Sequence, residues 1–178
     1  MSIYVLRLGH RPARDKRITP HLLLAARAFG ASGVIYTGTR DPKVEETVRK
    51  VCSDWGGPFS VEYAEDWRGA IKRWKTRGKV VHLTMYGLPL RGGINSIRDD
   101  PSEKLVAVGG AKVPGELFGI ADWNVAVTSQ PHSEVSALAV FLHELFEGGA
   151  LERVFEDARL RVIPQERGRR VVETSGAV

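Results

Sequence analysis

With 178 residues the chain has room for one domain with a substantial core, and 43% hydrophobic against 26% charged residues excludes a fibrous or low-complexity protein. Twenty-six Lys+Arg against 21 Asp+Glu give a formal charge of +5, which favours an anionic partner while also serving solubility. A single cysteine, Cys52, excludes an intramolecular disulfide and a Cys-rich metal site, and no apolar run, leader or lipidation motif speaks for a membrane, so a soluble cytoplasmic protein is expected.

In chain order, Ile3–Leu8 (IYVLRL) reads as a first strand, followed by a loop over Gly9–Lys16. Thr19 then serves as an N-cap, with Pro20 opening a helix that Gly30 closes. Val34–Tyr36 is a second strand. Asp41-Pro42 caps a helix over Lys43–Asp54, with Val44, Val48 and Val51 at helical spacing and Cys52 as a small buried hydrophobe. Gly56-Gly57-Pro58 breaks the chain before a strand at Phe59–Tyr63, and Trp67–Lys75 is a helix stopped by Gly78. Val80–Thr84 is a fourth strand ending in Met85-Tyr86-Gly87, while the Gly-, Pro- and charge-rich Leu88–Asp100 reads as a loop. Leu105–Val108 is an apolar strand, followed by the Gly109-Gly110 turn and a short helical turn begun by Pro114. Trp123–Val127 is the next strand, then a polar loop over Thr128–His132 and a long amphipathic helix from Ser133. After Gly148-Gly149 the pattern changes to a helix over Leu151–Ala158 and a small hairpin around Gly168. The strand–helix alternation predicts an α/β fold, a mainly parallel sheet flanked by helices.

The chemistry concentrates in Leu105–Glu147. Two strands, expected to be neighbours, each end in a loop of small residues where an α/β sheet places its ligand. Neither GxGxxG nor GxxxxGK[ST] occurs, so the dinucleotide and P-loop phosphate cradles are excluded. Basic residues cluster in three places: Arg7, Arg11, Arg14, Lys16 and Arg17 with His10, then Arg68–Lys79, then Arg159–Arg170. The first cluster is the one that points to a partner, because it follows directly on a buried strand. No His/Cys/Asp/Glu spacing suits a metal, and none is expected. Tyr86 and Trp123 are aromatic residues of the kind that stack on RNA bases or fill cores.

The segments LRLGHRPARDKRITPHLLLAARAFGA (Leu6–Ala31), VHLTMYG (Val81–Gly87), VGGAKVP (Val108–Pro114) and ADWNVAVTSQPHSEVSALAV (Ala121–Val140) resemble the SPOUT class of RNA methyltransferases, and within it the archaeal tRNA (cytidine-56) 2′-O-methyltransferases. The likeness covers about residues 1–148 and implies a methyltransferase domain with a C-terminal trefoil knot near residues 80–147, leaving 149–178 as a basic arm. It implies S-adenosylmethionine as cofactor, tRNA as substrate and a homodimer whose knot helices pack together. It places the cofactor on Leu83, on the turn Gly109, Gly110, Ala111, Lys112 and Val113, and along Val127, Thr128, Ser129, Gln130, Pro131, His132, Ser133 and Glu134.

One departure matters. Where related 2′-O-methylating enzymes carry a motif arginine, this chain has Leu24. Arg17, then Arg14, then Arg11 are the substitutes for orienting the acceptor, since a guanidinium fork holds phosphate and ribose well but stays protonated and makes a poor base. Arg7, His10, Arg11 and Lys16 are the expected RNA contacts. The expected reaction is 2′-O-methylation of cytidine 56 in the TψC loop of tRNA. The alternatives are a non-catalytic basic RNA-binding protein of the same fold, or a SPOUT enzyme methylating a base nitrogen.

Overall fold

The computed structural model describes residues 2–110 and 113–174. Six parallel strands form one sheet in the order β3-β2-β1-β5-β4-β6: β1 (Ile3–His10), β2 (Gly33–Gly38), β3 (Ser60–Tyr63), β4 (Gly78–Pro89), β5 (Glu103–Gly109) and β6 (Trp123–Ala126). Helices cover both faces, as a parallel sheet requires. On one side lie α2 (Ile18–Ala28), α3 (Pro42–Trp55), α5 (Leu90–Asp99) and α7 (Glu134–Leu145), packed on Val5, Val81, Val106 and Val125. On the other, α4 (Trp67–Trp74) and α6 (Leu117–Ile120) cover Leu6, Val80, Leu105 and Ala107. Successive residues of β1, β2, β4 and β5 alternate between the two cores, which is why these strands read as largely apolar runs.

Several elements follow their local signals closely. Asp41 accepts from the Lys43 amide at the start of α3, Ser133 accepts from Val135 N at the start of α7, and Gly30 closes α2 with φ +99°. At α2 the expected cap is displaced. The helix begins at Ile18 with Arg17 in the N-cap position and no side-chain cap, and Thr19 is buried in the first turn. A short helix α1 (Pro12–Asp15) occupies the expected loop before it.

Leu88–Asp100 is not a loop. Residues 90–99 form α5, in which Leu90, Ile94 and Ile97 are buried at helical spacing. Gly92, Gly93 and Asn95 weaken that pattern in the sequence, and tertiary packing restores it. Arg98 reaches across to the Leu145 and Glu144 carbonyls (3.2 and 2.6 Å), satisfying the C-terminus of α7.

The strands β5 and β6 are not neighbours either: β4 lies between them. β4 also runs past its expected end. Leu83 and Leu88 both register against Val125, so Thr84–Gly87 is an excursion that returns the chain to the same residue of β6. Gly87 sits directly on that strand; a Cβ there would stand 2.5 Å from Val125 N and 2.6 Å from the Asn124 carbonyl.

Beyond α7 the expected helix is only a 3₁₀ turn over Gly149–Glu152. The hairpin is present as antiparallel β7 (Leu160–Val162) and β8 (Val171–Glu173). Between them and the turn the chain docks on the α2–α3 corner. Asp157 accepts from Gly57 N (2.8 Å), Arg159 pairs with Asp54 (2.7 Å), and the Phe155 ring lies 4.5 Å from the Arg27 guanidinium.

Candidate active site

The C-terminal ends of β4 and β5, the Thr128–His132 loop, the first turn of α7 and helix α1 enclose a cavity of about 700 Å³. Of the residues assigned to cofactor binding, it is lined by Leu83, Gly109, Gly110, Val113, Val127, Pro131, His132, Ser133 and Glu134. Thr128, Ser129 and Gln130 lie on the exposed side of their loop, where the Thr128 hydroxyl accepts from Gln130 N (3.2 Å) and so shapes the turn. Ala111 and Lys112 fall outside the described residues.

The cavity suits S-adenosylmethionine. Leu83, Val108, Val113, Phe118 and Ala137 give apolar walls for a flat base. Gly110 leaves its backbone open to close approach, since a Cβ there would meet only the Glu134 carboxylate, 3.7 Å away. That carboxylate is the negative group a cationic sulfonium and ammonium call for. Among the described residues no cluster of three or more metal-ligating side chains occurs.

Glu134 is held from below by Arg7, at 3.3 Å. The Arg7 guanidinium is buried, lies 3.8 Å from Asp15, and donates to Thr19 Oγ1 (3.4 Å) and the Leu8 carbonyl (3.2 Å). Burial pushes its pKa down, while Glu134 and Asp15 push it back up. His10, also fully buried, bonds Thr19 Oγ1 through Nδ1 (2.9 Å) and faces Asp41 through Nε2 (3.4 Å). Thus Arg7 and His10, expected on RNA, are enclosed; they tie the end of β1 to α1, α2, α3 and α7.

The four remaining basic residues separate by position. Arg11 and Arg14 line the cavity, whereas Lys16 and Arg17 are exposed and do not. The short helix α1 causes this sorting: it turns Arg14 towards the cavity and leaves Arg17 at the head of α2. Leu24 lies farther along α2 and takes no part in the lining. A second cleft, about 400 Å³, opens beside the first and shares Arg11 and Gly110 with it; Thr37, Thr39, Glu65 and Trp67 form its rim and Arg7 and His10 are among its walls.

His82 and Phe118 also line the main cavity, and neither was singled out from the sequence. The signal was present for His82, a polar residue inside the otherwise apolar run VVHL. Tyr86 stands at the rim with 79% of its surface exposed.

A profile of the family described as tRNA ribose 2′-O-methyltransferase, aTrm56, matches residues 55–172. The chain is 57% identical over 174 residues to the tRNA (cytidine(56)-2′-O)-methyltransferase of Methanothermobacter thermautotrophicus, covering 97% of each chain. It is 56% identical to that of Methanopyrus kandleri over 94% of each, and 50% identical to that of Thermococcus kodakarensis over 96% of this chain and 97% of the relative. Among solved structures, the SpoU methyltransferase AviRb from Streptomyces viridochromogenes with AdoMet superposes with a TM-score of 0.60 at 17% identity, over 82% of this chain and 57% of that one. The A. aeolicus TrmH/SpoU tRNA-modifying enzyme gives 0.60 at 14% identity, over 86% and 80%. These neighbours share the α/β architecture of the SPOUT class, and by its sequence the chain belongs to the archaeal tRNA ribose 2′-O-methyltransferase family.

Proposed function

We propose that the protein transfers a methyl group from S-adenosylmethionine to the ribose 2′-hydroxyl of cytidine 56 in the TψC loop of tRNA. The observation that carries this reading is the junction of two clefts at Gly110 and Arg11, one with apolar walls and a carboxylate, the other open beside a basic helix. Sequence identity of 45–57% to curated cytidine-56 enzymes supports the choice of nucleotide.

The cofactor supplies a methyl already activated on a sulfonium, so the residues of this chain have chiefly to align the acceptor oxygen and let its proton leave. In our reading the acceptor nucleoside enters the smaller cleft. Arg14, which has no ion-pair partner among the described residues, holds its ribose and phosphate from the cavity side. Arg11, exposed and only 3.8 Å from Asp15, takes a neighbouring phosphate, and Lys16 steers the backbone from outside. Arg7 keeps Glu134 in place beneath the cofactor and so acts as a positioning residue. Arg11 and Arg14 thus do what the missing arginine at Leu24 would do, which favours catalysis over the non-catalytic reading. The hydroxyl proton leaves through the substrate phosphate or water, because guanidinium remains protonated.

We further assign the active form as a cytoplasmic homodimer. Tyr86 on the excursion and Leu88 just after it, 79% and 75% exposed, are large apolar groups in the expected knot region.

Methyl transfer from labelled S-adenosylmethionine to unmodified tRNA transcripts tests the function. Label on the normal transcript, lost when cytidine 56 is replaced or its 2′-hydroxyl is removed, is the expected result. Label retained on the 2′-deoxy variant would mean base methylation instead.

A further inference from the structure

A residue on the wall of the main cavity carries a polar atom that has no hydrogen-bond partner among the described residues. His82 is fully buried on β4, its ring packed edge-on against Phe118 (centroids 4.8 Å apart, planes at 83°). Its Nδ1 lies 2.8 Å from Asn124 Oδ1. The amide of Asn124 cannot be turned round, because its Nδ2 donates to the Phe118 carbonyl (2.9 Å), which needs a donor. Oδ1 is therefore the atom facing the imidazole, and Nδ1 must carry the hydrogen. That fixes the tautomer: Nε2 is a bare acceptor, and it is buried with no partner among the described residues. Burial also holds the imidazole below its usual pKa, favouring the neutral ring. A buried polar atom left unsatisfied is costly, and one on a ligand cavity wall has an evident use.

We infer that His82 Nε2 accepts a hydrogen bond from the adenosine half of the bound cofactor, and that the Asn124–Phe118 relay presets it to do so. The inference rests on the reading of this cavity as the cofactor site. The neighbourhood selects the adenosine half over the amino-acid half. The His82 ring packs on Phe118 and shares its cavity wall with Leu83, Val108 and Val113, an apolar setting for a base and sugar, whereas the Glu134 carboxylate is the natural partner for the ammonium. The donor is then the 6-amino group of adenine or a ribose hydroxyl, and each can be removed separately. The relay also imposes a preference. A 6-oxo base presents an acceptor to another acceptor, and the fixed tautomer prevents the imidazole from adapting. Such a mismatch discriminates more sharply than a lost contact.

The test uses calorimetric binding of S-adenosylhomocysteine, its inosine counterpart and its 2′-deoxy and 3′-deoxy counterparts to the whole protein and to His82→Phe. It is paired with ¹⁵N spectra of the His82 ring. We expect the Nε2 resonance to move on binding S-adenosylhomocysteine. We also expect one analogue to bind about tenfold or more weakly than the parent to the unsubstituted protein, the scale of one buried hydrogen bond, and that difference to vanish in His82→Phe. Binding of S-adenosylhomocysteine with an unmoved Nε2 resonance, or analogue penalties unchanged in His82→Phe, overturns the inference and leaves the cofactor assignment intact. No binding of S-adenosylhomocysteine to the unsubstituted protein overturns the cofactor assignment itself. Should His82→Phe not fold, the spectra of the unsubstituted protein decide alone.

Discussion

Arg7 shows how one residue can join core to chemistry. It is a cation with 1% of its surface exposed, set between a carboxylate on the wall of the main cavity, Glu134, and a carboxylate on the arginine-bearing helix, Asp15. Removing it leaves two carboxylates in a low-dielectric site, so Arg7→Met is expected to lose about 3 kcal/mol in denaturant unfolding and to weaken cofactor binding as well. Loss of stability without any loss of cofactor affinity would contradict its link to Glu134. At the acceptor side, Arg14→Ala should retain cofactor affinity and lose turnover by roughly 10²-fold, the scale of a positioned catalytic group. Arg17→Ala should be close to normal, because Arg17 does not reach the cavity; single-turnover methylation with both variants reverses the assignment if the effects are exchanged. Tyr36 gives a spectroscopic check on the same corner. Its buried hydroxyl donates to Glu45 (2.8 Å) and accepts from Asp41 N (3.1 Å), and burial, reinforced by Glu45, pushes its pKa up from 10 to about 12. The folded state therefore holds the proton more tightly than the unfolded chain does. The stability it contributes is complete below pH 10 and is lost as pH rises towards 12. Near-ultraviolet titration should find one tyrosine silent until that range. The residues that line the cavity divide by location. Loop residues such as Gly109, Gly110 and Ser133 announce themselves by composition, whereas His82 is marked only as a polar residue inside an apolar strand. Arg14 and Arg17 differ only by a helical turn, whose one local signal is Pro12 at its first position.

At the scale of elements, the excursion between Leu83 and Leu88 is tightly constrained against β6. Gly87 meets the backbone of β6 so closely that a methyl group has no place to go: the atoms in the way are Val125 N and the Asn124 carbonyl, not a flexible side-chain end. Gly87→Ala is expected to destabilise by more than 2 kcal/mol, as overpacking against backbone does, and to open the cavity that Leu83 and Tyr86 border. A thermal midpoint within a degree or two of the parent protein would remove that constraint. The sequence shows strands well here because parallel strands read as uninterrupted apolar runs. It does not show their order. Nothing in the segment 110–122 between β5 and β6 reveals that β4 will lie between them, since that is decided by packing between distant segments. Helix α5 was illegible for a different reason: two glycines and an asparagine outweigh three buried aliphatic residues in any local reading, and contact with α7 and the sheet tips the balance.

The whole molecule carries +5 formal charges, but the site uses few of them directly. On the proposed reading Arg11, Arg14 and Lys16 meet phosphate, and three such contacts imply that the logarithm of tRNA affinity falls with the logarithm of salt at a slope of roughly −2 to −3. Lys16→Ala should reduce that slope by about one and weaken all tRNAs alike. Filter binding across a salt series measures it, with S-adenosylhomocysteine affinity as the internal control that should move little. The docking of Asp157 and Phe155 onto Gly56–Gly57 has a consequence in time. Asp157 leaves the ribosome 100 residues after Gly57, which at cellular rates of synthesis is roughly 5 to 20 s. For that interval the α2–α3 corner stands open, with Arg27 facing an empty hollow where an aromatic ring belongs. The α2–α3 corner is therefore among the last parts of the core to be covered, and its closure waits on translation itself.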